Sequence, residues 1–169
     1  MSINKLSKLP KNADAFVDAN ILVYSMREEG ELKEMSKAFL ARAIQGEIKA
    51  VTSAAVVMEV THRVMVQEAS EKIELKGGQL IQYLKENPEF VKTLTRHRRV
   101  ATIIYNQGVS IESITRIHVH SSRVIRQSYG LMANDSLIVA FMQKQKIRHL
   151  VTNDRDFARI PEIKVWLPR

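Results

Sequence analysis

Ala15-Phe16-Val17 is an apolar run of three residues that stops at an aspartate, Asp18. The form returns late in the chain, where His149-Leu150-Val151-Thr152 runs into Asn153-Asp154-Arg155-Asp156. Runs this short cannot supply a helix face, but they suit strands buried on both sides. Ile48 to Thr52, Ile111 to Val119 and Ile163 to Trp166 read as further strands. Between them the spacing is helical. A short helix begins at Ile21 and breaks at Gly30. Residues 31–45 carry a stripe of Leu32, Met35, Phe39 and Ile44. Thr52 or Ser53 can cap a helix over about 54–69. Residues 71–107 are helical and more polar, 121–129 are helical, and Asn134-Asp135-Ser136 opens an apolar helix through Lys144. Short strands alternating with helices predict a three-layer α/β/α sandwich with a mainly parallel central sheet and an extra helical segment in the middle.

The chain has 169 residues, one domain's worth, and 45% are apolar, enough to bury a core. It has no Cys, so a disulfide scaffold, a thiol nucleophile and Cys-bound zinc are excluded. No apolar run approaches the ~20 residues of a membrane helix. Residues 1–13 are basic without an apolar centre, which reads as a loose arm and not a secretory signal. A cytoplasmic protein with no membrane association is expected.

In an open parallel sheet all strand carboxyl ends share one edge, and ligands bind there. Asp18 and Asp154, 136 positions apart, are therefore expected to meet. Asp135 stands at a helix start, and Glu59 interrupts the apolar run Val56-Val57-Met58-Glu59-Val60 beside the same edge. Each has a simpler reading. Asp18 or Asp135 can be a helix cap, Asp154 a turn residue, and Glu59 the partner of Arg63 four positions on. Together they are more specific, because four carboxylates at one edge repel unless cations neutralise them. Carboxylate oxygens suit Mg²⁺ or Mn²⁺, and paired ions of this kind activate water and stabilise a leaving oxygen in phosphodiester cleavage.

Taken in order, Phe16-Val17-Asp18-Ala19-Asn20-Ile21-Leu22, Val57-Met58-Glu59-Val60, Ala133-Asn134-Asp135-Ser136-Leu137-Ile138-Val139-Ala140 and Leu150-Val151-Thr152-Asn153-Asp154-Arg155-Asp156-Phe157 resemble a PIN domain. This family of metal-dependent ribonucleases includes the VapC-type toxins. The resemblance spans residues 14–169 and implies one PIN-like domain, with the helical and basic elaboration at about 71–107. It implies hydrolysis of RNA at Asp18, Glu59, Asp135 and Asp154 with Mg²⁺ or Mn²⁺, leaving a 5′-phosphate and a 3′-hydroxyl. Asp156 matches a position that adds a metal contact through water, and Asn20 and Thr152 match supporting polar positions. An antitoxin protein and a homodimer are the implied protein partners. Toxin-type members are shorter, and the extra length here falls between Glu59 and Asp135. The alternative is a catalytically silent PIN-like protein that binds RNA or serves assembly. A receiver domain would need paired acids after the first strand, and a haloacid-dehalogenase-type phosphatase an Asp-x-Asp; Asp18-Ala19-Asn20 supplies neither.

The net charge is +8, and most of it falls in one stretch. Lys92 to Gly130 holds seven Lys and Arg, opposed only by Glu112. Lys92, Arg96, Arg98, Arg99, Arg123 and Arg126 are the expected nucleic-acid contacts, tracking phosphates toward the acids. His118 and His120, two apart, would share one strand face. With His62 they lack zinc-site spacing and read as surface or RNA-contacting residues. Met58, Met65, Met132 and Met142 are expected in the core. Gly77-Gly78 lacks the context of a phosphate loop.

Overall fold

A computed structural model describes residues 3–169. They form one six-stranded, all-parallel sheet in the order β1-β6-β5-β2-β3-β4. The strands are β1 (Ile3–Lys5), β2 (Asp14–Val17), β3 (Lys49–Ser53), β4 (Val109–Glu112), β5 (His149–Val151) and β6 (Lys164–Leu167). The helices are α1 (Ala19–Ser25), α2 (Glu31–Ile44), α3 (Ala54–Lys72), α4 (Gly77–Glu86), α5 (Pro88–Lys92), α6 (Val100–Asn106), α7 (Arg116–Tyr129) and α8 (Ala133–Lys144). The expected α/β sandwich is therefore present. Phe16, Val17, Leu150 and Val151 are fully buried, which is why their strands show no polar alternation.

The order of the strands places the ligand crevice. From β2 the chain steps to β3 and then β4, while β5 and β6 lie on the other side of β2. With right-handed crossovers, α1 to α6 cover one face, and α7 and α8 cover the other. Phe16 on β2 meets Phe141 on α8 with ring centroids 5.5 Å apart, and His118 on α7 meets the same ring at 5.3 Å. The direction of winding changes between β2 and β5, and a crevice opens there at the carboxyl ends.

Residues 71–107 are built on α3. Ala69, Leu80 and Leu94 are buried together, with Met65, Ile73, Leu84 and Phe90 packed around them. Val100 and Ile104 then carry α6 back into the main core. Gly108 follows with φ +76°, and a Cβ there would stand 2.8 Å from backbone atoms of Ala43 and Ile44. Only glycine permits both that conformation and that approach of α2 to β4.

Several expectations are corrected. Residues 3–13 are not a loose arm. β1 pairs with β6 in parallel, Ile3 opposite Val165, and Leu6 and Leu9 are buried. Residues 1–2 lie outside the described ones. The strand expected over 111–119 ends at Glu112, and α7 starts at Arg116, where Thr115 and His118 form a reciprocal cap. His118 and His120 are thus helical and share no strand face. Met58 and Met132 are 66% and 75% exposed, Met58 near the start of α3 and Met132 at the cap position before α8.

Candidate active site

Asp18 ends β2 and caps α1. It is 7% exposed, and its backbone N–H donates to the Val151 carbonyl on β5 at 3.0 Å. One carboxylate oxygen, Oδ1, accepts from the Ala19 N–H at 2.7 Å, so the capping role is real. The other, Oδ2, accepts from Asn20 Nδ2 and from Thr152 Oγ1, both at 2.6 Å. Thr152 is saturated. Its single hydroxyl proton goes to Asp18, and it accepts from Asn20 Nδ2 and from the Asp154 N–H, each at 3.0 Å. Asn20 Oδ1 in turn accepts from the Asn153 N–H at 2.9 Å, which orients its amide. Asp154 Oδ1 accepts from the Asp156 N–H at 2.8 Å, closing the turn after β5. This continuous network ties β2, α1 and the β5 turn together. Asn20 and Thr152 are the pieces that join the two strand ends.

Asp135 lies in the first turn of α8, two residues inside the helix, with Met132 at the cap position. Burial pushes its carboxyl up, and the charges of Asp154, Asp18, Glu59 and Asp156 push it further, to about 6. Burial also raises the Asp18 carboxyl. Hydrogen bonds from Thr152 and Ala19 lower it, and Glu59 adds to the rise. The charges of Asp18, Glu59, Asp154 and Asp156, from the end of β2, α3 and the β5 turn, thus all bear on Asp135. Glu59 and Asn134 line a cleft of about 30 Å³, room for one water, between α3 and α8.

Glu59 is not the buried acid its sequence context suggests. It is half-buried, and Arg63 Nη2 donates to its Oε1 at 2.5 Å. Asp156 is exposed and paired with Arg159 at 2.8 Å. Among the described residues no three His, Asp or Glu side chains are gathered closely enough to grip one ion. Both Asp18 oxygens accept hydrogen bonds, and Glu59 is turned to Arg63. The donor set is nonetheless all carboxylate and carries unneutralised negative charge, which matches a hard divalent cation.

The basic stretch is divided between two faces. Lys92, Arg96, Arg98 and Arg99 belong to the elaboration on α3, and Arg123 and Arg126 stand on α7 in the opposite layer. Lys92 pairs with Glu89 at 2.6 Å, Arg96 with Glu71 at 2.5 Å, and Arg98 donates to the Lys92 carbonyl at 2.8 Å. Arg126 donates to Ser122 Oγ at 2.9 Å and Ser136 Oγ at 3.1 Å, bridging α7 to α8 one residue from Asp135.

Three features were not visible in the sequence. Tyr24 Oη accepts from Asn153 Nδ2 at 3.1 Å, and Arg27 lies over the Tyr24 ring at 4.5 Å. Arg63 reaches Asp18 electrostatically as well as Glu59. Glu68 anchors the 3-10 turn Arg96–Arg99 through the backbone N–H groups of Thr95 and Arg96. A glutamate one helical turn before Lys72 signals only an ordinary ion pair.

The PIN domain family model matches residues 15–163. The chain belongs to the PIN domain family. Asp18, Glu59, Asp135, Asp154 and Asp156 all lie inside the PIN match, while β1 and β6 lie beyond it. No curated protein matches the chain by sequence. Solved structures with this PIN fold include a toxin-antitoxin complex from Klebsiella pneumoniae, 22% identical, with a TM-score of 0.56 over 92% of this chain and 98% of that one. VapC20 of Mycobacterium tuberculosis, described as a Sarcin-Ricin loop cleaving toxin, is 15% identical, with a TM-score of 0.60 over 90% and 98%. VapBC2 of Rickettsia felis, bound to a DNA fragment from its promoter, is 18% identical, with a TM-score of 0.57 over 90% and 97%. Among the described residues no helix of this PIN domain is long and apolar enough to cross a membrane.

Proposed function

We propose that this chain is a metal-dependent endoribonuclease and the toxin of a toxin-antitoxin pair. One observation carries the reading. At the crevice between β2 and β5, Asp135 is held at about 6 by burial and four neighbouring carboxylates, a repulsion that folding alone gives no reason to keep. Membership of the PIN family and the toxin-antitoxin neighbours support it.

Asp18, Asp135 and Asp154 would hold Mg²⁺ or Mn²⁺, with Glu59 and Asp156 reaching it through water. The ion would supply an activated water and charge stabilisation at the leaving oxygen. The chain's own part is orientation. Asn20 and Thr152 fix the Asp18 carboxylate, and the Asp154 N–H bond to Thr152 sets the next acid relative to it. Arg63 balances Glu59 and keeps its carboxylate at the rim. Arg126 holds α7 and α8 together beside Asp135. An antitoxin and a second copy of the chain are the protein partners this reading implies.

The test is cleavage of labelled RNA by the purified protein with Mn²⁺, Mg²⁺ or EDTA, beside Asp18→Asn and Asp135→Asn. Cleavage is expected with either metal and lost in EDTA and in both variants. Cleavage that persists in all three would sink the reading.

A further inference from the structure

Tyr24 gives α1 a second hold on the turn after β5. Its Oη accepts from Asn153 Nδ2 at 3.1 Å. Asn153 stands between Thr152, whose hydroxyl donates to Asp18, and Asp154, whose N–H donates to that same hydroxyl oxygen. The Asn153 N–H donates to Asn20 Oδ1 at 2.9 Å, and Asn20 Nδ2 donates to Asp18 Oδ2 at 2.6 Å. Asn153 is thus held at two points, by Asn20 on its backbone and by Tyr24 on its side chain. The two anchors stand four residues apart on one face of α1, the helix that Asp18 caps. Hydrogen bonds therefore run without a break from the Tyr24 hydroxyl to the Asp18 carboxylate, and they grip the residue just before Asp154.

The hydroxyl has no other task in the fold. The Tyr24 ring is half-buried against the main core, and phenylalanine would pack there in the same way. Asn153 is exposed, and it is the only hydrogen-bond partner of Tyr24 Oη among the described residues. A neutral bond at the surface adds little to stability, because water takes the place of a lost partner there. What this bond supplies is direction, since it fixes the side chain of a turn residue that is already fixed by its backbone. The Arg27 guanidinium lies 4.5 Å from the centre of the Tyr24 ring, and no carboxylate among the described residues draws it away. That contact restrains the ring that carries the hydroxyl.

We propose that Tyr24 is a positioning residue for the candidate active site, acting through Asn153 to align Asp154 with Asp18 so that the two take one divalent ion together. The proposal rests on the metal-dependent ribonuclease reading and adds a third side chain to Asn20 and Thr152 in orienting its acids.

The test is a cycle of Tyr24→Phe, Asn153→Ala and the double variant in the full-length protein. Titration calorimetry with Mn²⁺, steady-state cleavage of RNA at saturating Mn²⁺ and thermal melts are the readouts. Groups that support metal ligands contribute about 10–100-fold in affinity or activity, and Tyr24 acts one link further out, so Tyr24→Phe is expected to weaken Mn²⁺ by about tenfold. kcat and kcat/KM should fall together, with the KM for RNA kept. Asn153→Ala should match it, and the double variant should be no worse than either, because both substitutions remove the same bond. The melting temperature should fall by no more than about 2–4 °C. Mn²⁺ affinity in Tyr24→Phe within about twofold of the parent's would overturn the proposal, even if the melting temperature drops, because the bond would then be structural alone. Effects of the two substitutions that multiply in the double variant would overturn it as well. If the parent binds Mn²⁺ and cuts RNA, either result condemns the role of Tyr24 alone. If the parent does neither, the ribonuclease reading and this role fall together.

Discussion

Replacing Glu68 with glutamine measures how firmly the basic elaboration is fastened. Burial alone would raise this carboxyl. The Arg96 N–H, the Lys72 ammonium at 3.0 Å and the Thr95 N–H more than offset that and hold it at about 2, from an ordinary 4.5. Holding the carboxyl that far down corresponds to at most about 3.4 kcal/mol. Lys72 is 41% exposed and screened, so the expected loss in Glu68→Gln at pH 7 is about 2 kcal/mol. The sign follows from linkage. An acid whose folded value is depressed stabilises the protein fully above its unfolded value and stops doing so as pH falls through the folded one. The gap between parent and variant should be complete above about pH 5.5, shrink below 4.5 and close near 2. Urea unfolding at pH 7, 5 and 3.5 measures it. A gap that stays constant from pH 7 to 3.5, or is under about 0.5 kcal/mol at pH 7, would refute the assignment of the stabilisation to the carboxylate.

Asp135→Asn should do the opposite. An acid held up at about 6 destabilises the folded state above that pH, so the variant gains about 1–2 kcal/mol at pH 7, and the gain disappears below about pH 4 in thermal melts. Gly108→Ala should cost about 2–4 kcal/mol by urea unfolding, because the positive φ and the 2.8 Å approach to α2 backbone both forbid a Cβ. The single tryptophan reports a third site. Trp166 Nε1 donates to His149 Nδ1 at 3.0 Å, and burial and Lys164 lower the His149 pKa. Protonation removes the acceptor, so the stability this bond gives is lost as pH falls below 6.5, Trp166 emission should change over the same range, and His149→Phe should abolish the change.

The central strands and the acids were legible because one constraint produces both. A parallel strand buried on two faces shows an unbroken apolar run, and the residue just past it meets the crevice, as Phe16-Val17-Asp18 displays. β1 escaped notice because Ile3-Asn4-Lys5 is short and polar, and its partner Val165 lies 162 positions away. The α7 boundary was hidden by Ile114, Ile117 and Val119, which continue the apolar spacing of β4, while the helix start is marked only by Thr115 and His118. Glu59 looked buried because its neighbours Val56, Val57 and Val60 are, but the helix turns its own side toward the rim. Glu68 carried no signal, because its partners are backbone amides, which no side-chain pattern records.

The hydroxyl of Thr152 reaches Asp18 across 134 positions of chain, and this sets a clock on assembly of the crevice. At about 5–20 residues per second, synthesis separates the two by roughly 7–27 s. For that interval a growing chain already carries Asp18, Glu59 and finally Asp135, but neither the threonine that orients the first acid nor Asp154. A chain released short of β5 would keep three of its acids without the bond that orients the first, so the crevice is assembled only when the crossing from β2 to β5 is closed.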